Sequence, residues 1–342
     1  MSIPHVGVDL HKQTSQVAIL ADTGEITQHR LPNDRTVIKS FFRELPTPAR
    51  IAIEATGTWW WIVDLLESLG HDVSLSHPKQ TRAIAAARLK NDRVDAQRLA
   101  VLLRANLLPT VWIPPQPVRE ARELVRHRLH LVQIRTRVKN HLLALLARRN
   151  LRAHCGQSWL SVRGRQELER LSLGETPGRI VENCRKLLQL LDDQIRGLEI
   201  ALIERFHDDP HVQRLQTIPG IGRFLATLLV IELGDIRRFP SAKHLVSYVG
   251  LVPRVRASGE RVRLGHISKE GSPILRWALV VAATQAARQP GPLQHWHRQV
   301  LVRRGPMIAR VALARRLLAL VYEIWTRETT YTLQLRPSAV QR

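Results

Sequence analysis

Acidic residues are scarce in this chain. Of its 342 residues only 29 are Asp or Glu, against 52 Lys and Arg, which gives a formal net charge of +23 and a sequence pI of about 11.4. A surface so short of negative charge points to polyanionic partners, and to nucleic acid first among them. Cysteine is rarer still: Cys155 and Cys184 cannot build a disulfide framework or a Cys-rich zinc site. They suit a reducing compartment, so a cytoplasmic, nucleoid-associated location is expected. Long hydrophobic runs are also missing. The most apolar stretches, 224–233 and 277–287, fall well below the roughly 18 residues that cross a bilayer. The opening MSIPHVGVDLHK meets an Asp and a Lys within twelve residues and so lacks a signal-peptide core. The basic residues are spread over several segments instead of one juxtamembrane cluster, which argues against a lipid partner.

What is present is a globular composition, 44% hydrophobic and 24% charged, and enough chain for about two or three domains. In residues 1–112, short β-rich runs at 6–10, 16–20 and 26–31 read as three strands, with Asp22-Thr-Gly-Glu supplying hairpin turn chemistry. A fourth strand at 50–54, an apolar helix around 59–69 and a fifth strand at 72–76 follow. An antiparallel meander running into alternating β and α elements implies an α/β domain with a mixed sheet covered by helices, whose ligand chemistry gathers at strand ends. The triple Trp59-Trp60-Trp61 sits on that helix, where two rings can face the core and the third can stack on a base or ribose.

Residues 113–210 open on Ile-Pro-Pro-Gln-Pro and turn helical and basic, with twelve Lys/Arg and two acids over residues 119–165. Leu124, Leu131, Val138 and Leu145 repeat every seven residues, and Leu191, Ile195, Leu198 and Leu202 form a second stripe. Two stripes divided by a Gly-rich break at 164–178 imply an antiparallel helical hairpin or a coiled-coil dimerisation arm. An ordinary helix pair in a globular core has the same signature. Residues 211–342 begin with Leu215-Gln-Thr-Ile-Pro-Gly-Ile-Gly, where Gly220 and Gly222 between apolar helices resemble a helix-hairpin-helix whose backbone N–H groups hold a phosphate. A tight turn between packed helices would also use these glycines. Residues 271–322 contain eight Arg and no acid.

Against this basic background four acids stand out. Asp9 ends one apolar β run and Glu54 another, while Asp92 and Asp95 lie three apart at the start of a helix and so share a face. Taken singly, Asp92 reads as an N-cap, Asp95 as a first-turn acid, Glu54 as a partner for one of many arginines and Asp9 as a turn residue. Jointly they would repel one another unless they shared cations. Two divalent ions about 3.5–4 Å apart are the usual arrangement for phosphodiester chemistry. Carboxylate oxygens suit Mg2+, with Mn2+ as the substitute.

Gly7-Val-Asp-Leu-His-Lys, Glu54-Ala-Thr-Gly and Lys90-Asn-Asp-Arg-Val-Asp-Ala resemble the RuvC-like, RNase H-type catalytic domain of the DEDD transposases and Piv-type invertases of bacterial insertion sequences, also called bridge-RNA-guided recombinases. Ile218-Pro-Gly-Ile-Gly, Tyr248-Val-Gly-Leu-Val-Pro-Arg, Ala257-Ser-Gly-Glu and Gly265-His-Ile-Ser-Lys-Glu-Gly-Ser-Pro resemble the same family's mostly helical transposase domain. The resemblance covers nearly the whole chain and implies three parts: a catalytic domain (1–112), a basic helical arm (113–210) and a transposase domain (211–342). It also implies Asp9, Glu54, Asp92 and Asp95 as the metal tetrad and Ser258 as a serine nucleophile, with Ser268 as a rival. Arg254, Arg256 and Arg261 become candidate clamps on the scissile phosphate. Lys12, Lys90, Arg93, Gly220, Gly222, Lys269 and Arg276 become candidate nucleic-acid contacts. The implied partners are donor and target DNA, a structured guide RNA and further copies of the chain in a dimer or tetramer. The triple Trp departs from the family, which often has a smaller aromatic there.

The activity expected is cutting and rejoining of DNA. A metal-dependent nuclease or Holliday-junction resolvase would need the same carboxylates with water in place of serine. An inactive nucleic-acid-binding protein would need only the basic arm.

Overall fold

The computed structural model describes residues 3–84, 92–153, 158–258 and 261–332, with backbone alone for residues 92–93, 255–258 and 261–264. The chain divides into two compact units, Met1–Pro114 and Pro115–Arg342.

The first unit is α/β. Its elements are β1 (His5–Leu10), β2 (Thr14–Leu20), β3 (Ile26–Pro32), α1 (Arg35–Arg43), β4 (Arg50–Glu54), α2 (Trp60–Ser68), β5 (Asp72–Ser76), α3 (Pro78–Ile84), α4 (Asp92–Arg104) and β6 (Thr110–Val111). The six strands form one mixed sheet in the order β3-β2-β1-β4-β5-β6. β1, β4 and β5 run parallel, while β2, β3 and β6 pair antiparallel to their neighbours. β1 is buried from Val6 to Leu10 because helices cover both faces of a central strand. β3 is a polar edge strand, and its exposed Gln28, His29 and Arg30 discourage pairing with another chain.

The five strands legible in the sequence are present, two of them with the bounds expected. α1, α3 and β6 are not among the elements expected from the sequence. α1 is opened by Asp34, whose side chain accepts from the N–H groups of Thr36 and Val37, and anchored by Ile38 and Phe42 one turn apart. On α2, Trp59 at its N-cap and Trp61 pack against the core formed with Ile51, Ile53, Ile62 and Leu66, and the rings of Trp59 and Trp60 lie 5.9 Å apart.

α4 lies across β1, β2 and β4. Ala96, Leu99, Ala100 and Leu103 make its buried stripe at helical spacing. Opposite them stands Gly7. A Cβ there would sit 1.9 Å from the carbonyl oxygen of Ala96 and 2.7 Å from the nitrogen of Ala100, so only glycine lets helix and strand approach this closely. At the other end of the helix Arg104 donates to the carbonyls of Ala21 and Asp22 in the β2–β3 turn.

The second unit is mostly helical: α5 (Gln116–Ala147), α6 (Val162–Arg170), α7 (Glu175–Arg205), α8 (Pro210–Leu215), α9 (Arg223–Leu233), α10 (Ala242–Val249), the hairpin β7 (Pro253–Ser258) and β8 (Arg261–Ile267), α11 (Pro273–Ala286), α12 (Pro292–Arg304) and α13 (Pro306–Thr326). α5 and α7 lie antiparallel, tied by Arg128 to Glu199 and by Arg135 to Asp192 at 2.7 Å. Of the two leucine stripes, Leu145, Leu191, Ile195 and Leu202 are buried, and Leu124, Leu131, Val138 and Leu198 are half-buried. The expected break at 164–178 instead contains α6, in which Gly164 allows close approach to the backbone of Ser158, and Gly178 lies in the first turn of α7. The far ends of the pair enclose a small core of Leu142, Leu145, Trp159, Leu168 and Cys184, where burial pushes the Cys184 thiol up in pKa.

The larger core is built on α9, buried from Ala226 to Leu233, with α10, α11 and α13 around it. Glu232, almost fully buried, is held by Arg126 at 3.1 Å, while Arg122 donates to the carbonyls of Ile231 and Glu232 at the end of α9. Among the described residues no helix is long and apolar enough to cross a membrane.

Gly7→Ala is expected to lower the stability of the first unit by about 1–3 kcal/mol, because the new methyl overlaps backbone that cannot swing aside. Gly197→Ala on α7, with open space around it, is expected to shift stability the other way by up to about 1 kcal/mol. Denaturant midpoints of the two variants against the parent check both signs.

Candidate active site

The carboxyl ends of β1 and β4 lie side by side. Val8 pairs with Ile53 across the two parallel strands, so Asp9 and Glu54 follow next to one another in register. α4, seated on Gly7, brings Asp95 to the same end of the sheet. Asp9, Glu54 and Asp95 line one cavity of about 270 Å3, together with His11, Thr56, Thr81, Arg82 and Arg98. Asp9 is 7% exposed and its Oδ2 lies 3.2 Å from Nε2 of His11. Asp95 Oδ1 accepts from Arg98 Nη1 at 3.0 Å. A carboxylate buried at a strand end needs partners of this kind, since desolvation penalises the charge.

Three of the four acids singled out in the sequence therefore share a cavity. The fourth, Asp92, begins α4 one turn before Asp95, and its side chain is not among those described. The donor set consists of carboxylate oxygens with no thiolate, and such hard oxygen ligands fit a magnesium- or manganese-type ion. Among the described residues no group of three His, Cys, Asp or Glu side chains stands close enough to hold a metal as arranged. The carboxylates fit such an ion by chemistry and by placement on one cavity, without forming a closed coordination shell.

Arg98, Arg82, Thr56 and Thr81 are additions that the sequence reading lacks. Arg98 alone leaves a trace in the sequence, three residues beyond Asp95 and hence on its face of the helix. Thr81 and Arg82 reach the cavity from α3, and nothing in their local pattern points there. Thr81 Oγ1 is buried and has no hydrogen-bond partner among the described residues. Lys12 is exposed in the β1–β2 turn, Lys90 lies outside the described residues, and Arg93 is placed by backbone only.

In the second unit, the motif blocks meet as a backbone crossing. A Cβ on Gly250, at φ +76°, would lie 1.9 Å from the carbonyl oxygen of Glu270, and one on Gly271, at φ +96°, 1.9 Å from that of Tyr248. Arg276 Nη1 donates to the carbonyls of Val249 and Gly271 at 3.0 and 3.1 Å and approaches that of Glu270 at 3.5 Å, and Arg254 donates to the Ser268 carbonyl. Lys269 is exposed at φ +57°, with its N–H on the Gly250 carbonyl. These contacts fix the base of the β7–β8 hairpin. At its far end Ser258 pairs with Arg261, and Arg256 with Arg263, as backbone partners. Gly220 is packed against α11, where a Cβ would meet the Ala282 carbonyl oxygen at 2.3 Å. Gly222 is exposed as the N-cap of α9.

Similarity to known proteins extends over nearly the whole chain. A DEDD transposase model of IS110 elements matches residues 6–150, and a model described as the transposase IS116/IS110/IS902 family matches residues 212–298. A probable family 20 transposase of Pseudomonas aeruginosa is 30% identical over 97% of this chain and 99% of its own length. The chain belongs to the IS116/IS110/IS902 family of transposases. It is a DNA transposase, an enzyme that cuts and rejoins DNA. The transposase for insertion sequence element IS1328 of Yersinia enterocolitica is 28% identical over 96% of this chain and 98% of its own length. The pilin gene-inverting protein of Moraxella bovis is 29% identical over 83% of each. The first family model spans all four acids of this transposase, and the second spans Gly220 through Arg276 with Ser258 between them.

Replacing Arg276 with Ala strands the carbonyls of Val249 and Gly271, and the expected cost is about 1–3 kcal/mol. Faster amide exchange at Ser268 and Lys269, with an unchanged salt dependence of DNA binding, would identify it as a tie within the fold. A reduced salt slope with unchanged exchange would make it a phosphate contact instead.

Proposed function

We propose that this transposase works as a serine recombinase supported by a carboxylate metal site. The observation that carries the proposal is the meeting of Asp9, Glu54 and Asp95, from three separate elements, on one cavity at the carboxyl end of a mixed sheet. That arrangement is consistent with a RuvC-like, RNase H-type domain in which Asp9, Glu54, Asp92 and Asp95 hold two Mg2+ ions, or Mn2+ in their place. When bound, such ions neutralise charge on a scissile phosphate and lower the pKa of an attacking hydroxyl.

The chain's own residues supply the rest. Ser258, at the end of β7, is the proposed nucleophile. Its Oγ forms a bond to phosphorus as the bond from phosphorus to the leaving sugar oxygen breaks. The serine proton is released and the sugar oxygen ends as a hydroxyl. Attack of a sugar hydroxyl on the serine ester reverses the exchange and rejoins the strand, so the energy of the phosphodiester is conserved. Arg256 and Arg261 flank Ser258 in the hairpin and are the proposed clamps on the phosphate. The exposed Gly222 at the N-terminus of α9 and the adjoining Arg223 suit a helix-hairpin-helix contact to the DNA backbone.

Strand exchange requires several DNA ends to be held together, which favours a dimer or tetramer with the α5–α7 pair as the contact between copies. The resemblance noted in the sequence adds a structured guide RNA pairing with donor and target DNA, and the basic arm suits such a partner.

Incubation of the purified protein, with its co-purifying RNA, with Mg2+ and labelled DNA spanning the element junction tests this reading. The expected result is a denaturation-resistant protein–DNA adduct, lost in Ser258→Ala, in Asp95→Asn and on chelation of the metal. Cleavage without an adduct, unaffected by Ser258→Ala but abolished by Asp95→Asn, would instead establish a nuclease using water.

A further inference from the structure

α12 and α13 form a helical hairpin whose tip is out of character with the rest of the surface. Within seven positions around the turn, Val302 is 87% exposed, Met307 72% and Ile308 56%. Large apolar side chains gathered at one tip expose surface that a partner ordinarily covers. The flanking residues narrow the choice of partner. Arg303 and Arg304 are exposed beside Val302, Arg298 precedes them, and Arg310 follows. The whole stretch from 271 to 322 has eight Arg and no acid. A second copy of this chain, itself at +23, would bring like charge to that tip. A polyanion would not.

The tip is also rigidly mounted. Gly305, at φ +78°, closes α12 by donating to the Leu301 carbonyl and opens α13 by accepting from Ala309. Pro306 occupies the first helical position with its φ already suited to the helix. Immediately behind the tip, Ala309 and Leu313 are fully buried, and the Arg316 guanidinium sits 5.0 Å from the ring centre of Trp296, joining the two helices. Forces on Met307 and Ile308 are thus carried into the main core of the unit.

We propose that the α12–α13 turn is a wedge for duplex DNA, with Met307 and Ile308 entering between stacked base pairs and Arg303 and Arg304 holding the phosphates on either side. Apolar side chains flanked by cations unstack base steps in this way, at a cost of a few kcal/mol per step that the phosphate contacts offset. The wedge gives the enzyme a means of opening DNA locally before strands are exchanged. It rests on the family's action on DNA and not on the proposed metal tetrad or serine.

The test uses the full chain without divalent ion, so that no strand is cut, and duplexes spanning the element junction in which a fluorescent adenine analogue is moved step by step. The parent protein is expected to raise the analogue's fluorescence several-fold at one step. The pair Met307→Ser and Ile308→Ser should abolish that rise while changing duplex affinity by less than about threefold. The pair Arg303→Gln and Arg304→Gln should weaken binding and reduce the salt slope by about 2. Fluorescence that rises at no step with the parent protein overturns the wedge and leaves the strand-cutting reading intact. Unstacking retained in the serine pair overturns it too. If that pair then dissociates into smaller oligomers in sedimentation, or loses its hold on the co-purifying RNA, the tip is a contact for protein or for RNA.

Discussion

The approach of α4 to β1 over Gly7 is the contact on which the cavity of Asp9, Glu54 and Asp95 depends. With no side chain at residue 7, the carbonyl of Ala96 comes to within 1.9 Å of where a Cβ would stand. The helix lies flat on the sheet at that height and its first turn reaches the ends of β1 and β4. Asp95 then shares a cavity with Asp9 and Glu54. Arg104 holds the opposite end of α4 to the β2–β3 turn, so the helix is fixed at two points and its acidic end is held against the sheet.

The second unit uses the same device at its own motif blocks. Gly250 and Gly271 let two chain segments cross with their backbones in contact, and Gly220 seats the loop before α9 on the backbone of α11. Arg276 and Arg254 then satisfy carbonyls left over by the crossing. In this unit the glycines and arginines of the motifs serve first to set the base of the β7–β8 hairpin. The end of that hairpin, with Ser258 and Arg261, extends beyond the crossing.

Two groups of acids in this chain of +23 are set apart by position. Glu232, Glu199 and Asp192 pair with Arg126, Arg128 and Arg135, tying α5 to α9 and to α7. Asp9, Glu54 and Asp95 line a cavity instead. With 52 Lys and Arg against 29 acids, an excess of cations is left over for phosphate. The acid-free stretch from 271 to 322 is the extreme case, since its buried side is Ala- and Leu-rich and its eight charged side chains are all Arg.

Much of this architecture is legible in the residue order alone. The strands at 50–54 and 72–76 are readable because β-branched runs bounded by Arg50 and Asp72 have no competing periodicity. The stripes of α5 and α7 announce two paired helices without deciding whether the partner is in the same chain, and Asp9, Glu54 and Asp95 stand out because acids are rare and each sits at the end of an apolar element. α1 escapes such a reading because it is only nine residues long, although Val37, Ile38, Phe41 and Phe42 recur at helical spacing. α6 escapes it because Gly164 looks like a breaker when read locally, although it serves close packing. Thr81 and Arg82 join the cavity without a local signal, and Arg276 is occupied with carbonyls. The difference has one physical source. Periodicity and turn chemistry are local, so the chain's residue order specifies which face each element buries and where it stops. Which elements touch, at what separation, and so which side chains share a cavity, is settled by backbone approaches between residues as distant as Gly7 and Ala96, and these exist only once the chain has folded.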